Sequence, residues 1–206
     1  MRIIIALAAL AALASPGGAH ADDDGGNVIG IGFGTAALAG DLASRFEARS
    51  VAVRMRAGLR FKSFGAELDS NVVNMRALAG PDSDSWVATT SGPAFLYYLR
   101  WRPLAAYVRA SLGVGSITGP TRTELVPCTG GEDCEFKEVT IEPSHPAYAI
   151  ELSAGAQIHL ARRPRGAHPV LWADVTVRGM RALIDGQAYA GRTHQLAVGV
   201  AYGRDF

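Results

Sequence analysis

Three groups of residues in this sequence could carry chemistry, and the imidazoles come first. The residues beyond position 21 include His145, His159, His168 and His194. A hydrolase or acyltransferase would need one of them as a base, with a nucleophile and a carboxylate in reach. His159 comes nearest, because Glu151 and Ser153 share its strand face. Eight residues of strand cover about 26 Å, so Glu151 cannot touch it directly. His145 and His168 each precede a proline in connecting segments, and no His-x-Ser arrangement occurs. No catalytic residue is nominated, and the expectation is a protein that is not an enzyme.

The second group is the pair Cys128 and Cys134. Their spacing is not the Cys-x-x-Cys of redox enzymes, and no histidine cluster beside them makes a zinc site. In an exported chain such a pair is expected as a disulfide staple. Around it, segment 117–147 holds Glu124, Glu132, Asp133, Glu135, Glu138 and Glu142 against Arg122 and Lys137. The regular Asp/Asn spacing of a calcium loop is absent there. No metal and no cofactor is assigned. The segment is expected instead to be a contact surface for an extracellular ligand.

The third group is larger: Arg54, Arg56, Arg60, Arg100, Arg109 and Arg178, with Glu67, Asp69, Glu151 and Asp174. These ten matter only if the chain gathers them, so the elements that carry them decide the reading. Met1-Arg2, the apolar run Ile3–Leu13, a Ser-Pro-Gly-Gly break and Ala19-His20-Ala21 have the layout of a cleaved signal peptide over 1–21. A single domain of residues 22–206 is then expected. Removal of Arg2 leaves 19 Lys and Arg against 19 Asp and Glu, a balance that gives no reason to expect nucleic acid or an acidic polymer as partner.

Beyond residue 21 the dominant pattern is the period of two that marks strands. In Ser50–Lys62, Val51, Val53, Met55, Ala57, Leu59 and Phe61 share one face, and Ala52, Arg54, Arg56, Gly58, Arg60 and Lys62 share the other. The alternation recurs at Asn27–Ala37, Phe64–Val72, Trp86–Trp101, Leu104–Ser116, Tyr148–Leu160, Val170–Met180 and Thr193–Phe206. That makes eight strands. Short links at 62–63, 102–103 and 161–169 alternate with longer ones at 38–48, 73–85, 117–147 and 181–192, the layout of a transmembrane barrel. Pro93 strains the fourth strand, since it cannot donate a ladder bond. Arg204 interrupts the apolar face of the eighth.

The ten charged residues all lie on the non-apolar face. On a lipid face each would cost about 2–4 kcal/mol at mid-membrane, so they must face a lumen or water. Aromatic side chains cluster at the ends of the apolar stripes (Phe61, Phe64, Trp101, Tyr148, Tyr202 and Phe206), as in a girdle. The expected fold is therefore all-β: an eight-stranded antiparallel up-and-down transmembrane β-barrel.

The last strand, Leu196, Val198, Val200, Tyr202 and terminal Phe206, resembles the assembly signal of bacterial outer-membrane proteins. Arg204 departs from that pattern. The eight-strand layout resembles the small OmpA/OmpX-type barrels over the whole of 22–206. So do the phrases Ala57-Gly58-Leu59-Arg60-Phe61 and Tyr107-Val108-Arg109-Ala110-Ser111-Leu112-Gly113-Val114-Gly115. The resemblance implies a bacterial outer-membrane location, outer-membrane lipid around the barrel, and the barrel-assembly machinery as a partner during biogenesis, with Tyr202 and Phe206 read by it. A monomer is expected. The reading of the ten charges is a lumen plugged by Arg/carboxylate pairs. Two alternatives stay open at this point. One is a soluble lipocalin-like ligand-binding barrel in the periplasm. The other is a narrow channel, whose six arginines against four carboxylates would favour anions.

Overall fold

The structure is a computed structural model that describes residues 25–61, 63–78, 85–101, 104–127, 136–160 and 167–204. The proposed signal peptide, Cys128, Cys134 and Phe206 lie outside these residues. So do the side chains of Arg100, Trp101 and Arg204.

Ten strands form. They are β1 (Gly25–Gly40), β2 (Arg49–Phe61), β3 (Phe64–Arg76), β4 (Ser85–Trp101), β5 (Leu104–Thr118), β6 (Arg122–Pro127), β7 (Phe136–Ile141), β8 (Ser144–His159), β9 (Ala167–Ile184) and β10 (Gln187–Arg204). Eight close into an antiparallel barrel in the order β1-β10-β9-β8-β5-β4-β3-β2, and β6 with β7 makes a separate two-stranded sheet. Closure is made by thirteen residue pairs between β1 and β10, from Val28 with Gly203 to Gly40 with Gly191.

The alternation read from the sequence sets the faces. Isoleucines, valines, leucines and aromatics such as Phe33, Phe64, Phe95, Ile150, Val175 and Tyr202 point outward and are exposed. Arginines, carboxylates and small residues point inward. From Phe61 to Val51 the outward side chains of β2 are apolar. That run covers about 33 Å of strand, or about 25 Å along the membrane normal at a usual tilt, the height of a barrel's apolar band.

Above that band the strands continue, and the polarity of the alternation reverses. Outward positions become Arg49, Asn74, Arg76, Arg181 and Arg192, while Val73, Met75, Ile117, Met180, Ala182 and Ile184 are buried inside. A 3-10 turn at Asp41–Ser44 adds the buried Leu42, and Phe46 follows it. Strand polarity flips because the outside is no longer hydrocarbon, so the inside can serve as an apolar core.

Four expectations are corrected. Segment 181–192 is not a long link: β9 and β10 run into a two-residue hairpin at Asp185-Gly186, with φ of 51° and 77°. Asp-Gly is the usual pair for such a turn, because both positions need positive φ. Segments 38–48 and 73–85 are shortened by β1 running to Gly40 and β3 to Arg76. Segment 117–147 is not a plain loop, since it carries the β6–β7 hairpin. Pro93 does not interrupt β4: it pairs with Leu68 of β3. The ladder to β5 lapses only between the Ser91–Val114 and Ala94–Ser111 pairs, and the register does not slip.

Candidate functional site in the barrel lumen

Where one strand carries several of the candidate set, the strand period places them two or four positions apart, as in Arg54, Arg56 and Arg60 on β2, Glu67 and Asp69 on β3, and Asp174 and Arg178 on β9. Pairing register then stacks them in layers. At mid-height lies a layer of six charges. Arg54 of β2 donates from Nε and Nη2 to the two oxygens of Asp69 on β3, at 2.9 and 2.7 Å. The same Nη2 donates to Glu151 of β8, and Nη1 donates to Thr176 of β9 at 3.0 Å. Arg109 of β5 donates to Asp174 at 3.1 Å, to Glu151 at 3.2 Å and to Ser153 at 3.0 Å. Arg178 donates to Glu151 from Nε at 3.0 Å and from Nη2 at 2.5 Å. The Tyr107 hydroxyl donates to Asp174 at 3.0 Å.

Three guanidinium groups thus meet three carboxylates, and side chains from β2, β3, β5, β8 and β9 meet across the bore. Planar bidentate pairing of the Arg54–Asp69 kind is the strong form of a charged hydrogen bond. Such a layer is self-neutral, the only cheap way to keep six charges out of water.

Below it, toward the short-turn end, lies a different layer. Arg56 is fully buried, yet its three nitrogens have no hydrogen-bond partner among the described residues. Its guanidinium lies 4.3 Å from the centre of the Trp172 ring and 5.8 Å from that of Tyr107. Arg60 lies 5.1 Å from the Tyr98 ring centre, with Glu67 3.7 Å from its Nη2. Tyr98 and Tyr107 rings are 5.8 Å apart. Cations over ring faces are held by the quadrupole rather than by a hydrogen bond. Room for the indole comes from glycine: a Cβ on Gly32 or Gly199 would run into the Trp172 ring.

Above the six-charge layer, Asn71 and Gln195 exchange hydrogen bonds of 2.7 and 3.4 Å across the bore. Over them sits the apolar cluster of Leu42, Phe46, Met75, Ile117 and Ile184. Of the ten candidate residues, the structure brings six into one network, and it sets Arg60 beside Glu67. Arg56 stands outside any ion pair among the described residues, which corrects its place in the expected network. Its neighbours Trp172, Tyr98 and Tyr107 carry no role in the sequence reading, although alternation already points them inward. No group of three or more potential metal ligands gathers among the described residues. His159 lies 3.3 Å from Gln157 on the same strand.

Charges inward and apolar side chains outward suit a barrel set in lipid, and in bacteria such barrels occupy the outer membrane. No family model matches the sequence, and a search of curated proteins finds no match. Solved structures do match. Neisserial surface protein A superposes with a TM-score of 0.54 at 14% identity, covering 85% of this chain and 95% of that one. The fold is that of the small outer-membrane barrels. Ail of Yersinia pestis, in complex with the heparin analogue sucrose octasulfate, gives a TM-score of 0.43 at 12% identity, covering 88% of this chain and 99% of its own. The N-terminal barrel domain of Pseudomonas aeruginosa OprF gives 0.39 at 13% identity, covering 86% and 97%. An eight-stranded antiparallel barrel with the fold of the small outer-membrane barrels is both the geometry's answer and the one expected from the strand count.

Proposed function

We propose that this chain is a non-enzymatic outer-membrane barrel whose lumen is closed and whose binding is done by its extracellular hairpin. The observation that supports closure is the six-charge layer, which ties five of the eight strands together across the bore. With three positive and three negative groups, it offers a permeant ion neither a vacancy nor a net attraction. The apolar layer over it repeats the obstruction with different chemistry.

The β6–β7 hairpin is the part most open to a partner. Every residue of β6 is exposed, including Leu125 and Val126 beside Glu124, while Ile141 on β7 is exposed with Glu138. An apolar and acidic hairpin of this kind suits a basic, partly apolar extracellular ligand. A Cys128–Cys134 bridge would close the segment beyond the paired Pro127 and Phe136. It would hold the tip in fewer conformations and so lower the entropy lost on binding. Alkylation of both thiols without reductant would remove that bridge from the proposal. Tyr202 faces outward near the last strand's end and fits recognition by the assembly machinery together with Phe206.

Two measurements test the reading. Protein in isolated outer membranes should migrate differently on a denaturing gel with and without heating. Reconstituted in planar bilayers, it should show no stepwise conductance. Steady channel openings would replace the closed barrel with a pore. Recovery of the native chain from a detergent-free periplasmic extract would restore the soluble ligand-binding alternative.

A further inference from the structure

On the outer wall, a groove of about 680 Å³ runs along the upper part of β1. It exists because β1 presents only Thr35 and Ala37 there, between larger side chains on both neighbours. Ala37 pairs with Arg49 of β2 on one side and His194 of β10 on the other. One row lower, Thr35 lies between Val51 and Leu196, and Leu196 pairs with Val175. The groove is therefore two-toned. Its lower part is apolar and level with the top of the hydrocarbon band, while its upper part is cationic and level with the headgroups.

Arg49 and Arg76 both line it, are exposed, and make no ion pair among the described residues. His194 adds a ring N–H donor, about 10 Å from Arg49 across two strand spacings. Among the described residues Glu47 is the one carboxylate on the rim, against Arg49 and Arg76, so the described lining carries a net positive charge. Unpaired arginines pointing outward at headgroup height are poorly placed for a neutral surface and well placed for phosphate. The groove opens at the barrel end that carries the β6–β7 hairpin, which is the extracellular one.

We propose that this groove is a binding site for a phosphorylated glycolipid of the outer leaflet, of the lipid A type. An acyl chain would lie over Thr35, Val51 and Leu196, and phosphates would take hydrogen bonds from Arg49 and Arg76. Arg49 with Arg76 on one side of the notch and the His194 ring N–H about 10 Å away on the other give two places for phosphate, which favours a headgroup with two phosphates over a phospholipid with one.

The test uses the protein extracted from membranes in a mild neutral detergent, with native mass spectrometry reading retained lipid. Hexa-acyl bisphosphoryl lipid A should be retained at least tenfold more than phosphatidylglycerol. The double variant Arg49→Gln/Arg76→Gln should lose at least fivefold of that retention. Arg181→Gln, at a similar height on β9 but outside the groove, should lose none. Ala37→Leu keeps every charge and fills the notch, and it too should lower retention severalfold. A heat-dependent gel shift confirms that each variant is folded. Equal retention of phosphatidylglycerol would overturn the proposal in favour of any anionic lipid. Equal loss in Arg181→Gln would overturn it in favour of a diffuse cationic belt, and unchanged retention in Ala37→Leu would remove the groove from the account.

Discussion

Arg54 and Arg56 are neighbours on one face of β2, two residues apart, exposed by 1% and 0%. They are held by different physics. Arg54 donates to Asp69, Glu151 and Thr176 from all three nitrogens. Arg56 donates to nothing among the described residues and lies over the face of Trp172. The contrast shows that a buried guanidinium need not hydrogen-bond a carboxylate when a ring face lies against it and the nearby charge, here Glu67, acts only through space. It also shows that the two layers should fail differently. The Arg54 layer is a coupled unit in which one loss strands the others. The Arg56 layer is a stack in which each contact is lost singly.

The largest effect should come from Glu151→Gln. Glu151 accepts from Arg54, Arg109 and Arg178, so neutralising it leaves three guanidinium groups facing two carboxylates. A loss of about 3–5 kcal/mol is expected in urea unfolding of the detergent-folded barrel. A loss below about 1 kcal/mol would break the comparison, because the layer would then not be coupled. Next comes Gly199→Val, whose Cβ would meet Trp172 and the backbone of Gly32. Displacing the indole should cost about 1–3 kcal/mol by overpacking and blue-shift or broaden the Trp172 emission. Arg56→Met should cost less, about 0.5–2 kcal/mol, since it breaks no hydrogen bond to a carboxylate and leaves Glu67 beside Arg60. If Arg56→Met proves as damaging as Glu151→Gln, the stack carries a hidden ionic link. The smallest effect is expected from excising 120–142 and joining the ends with two glycines. Unfolding should shift by no more than about 0.5 kcal/mol, because β6 buries nothing.

Much of this architecture could be read from alternation alone. The phase of two fixed which side chains face inward, so the nine members of the candidate set whose side chains are described all point to the lumen. What alternation could not reveal is who meets whom across the bore. Arg54 and Glu151 are 97 residues apart, and nothing local couples them. The strands also ended too early in the sequence reading. At Val72 and Met180 the apolar stripe stops, yet the strands continue with the opposite polarity: Met75 and Ile184 inside, Arg76 and Arg181 outside. The phase persists while the solvent changes. Asp185-Gly186 was a legible turn signal, overlooked because the flanking residues no longer matched a lipid-facing pattern. The cation–ring layer was missed for another reason: Trp172 and Tyr107 sit on the charged face but resemble ordinary packing until a guanidinium is seen above them.

Closure through β1 and β10 has a kinetic consequence. Val28 and Gly203 are partners 175 residues apart, so the seam cannot form until all eight barrel strands are available. Contacts of such long separation are slow to find. Until they do, β1 and β10 are bare edges with unpaired amides, the most adhesive surface a strand can offer. In a watery compartment a chain with eight lipid-seeking stripes and two open edges would aggregate faster than it could close. The last seam is therefore the step at which escort of the chain, rather than its final stability, decides how much folded protein a cell obtains.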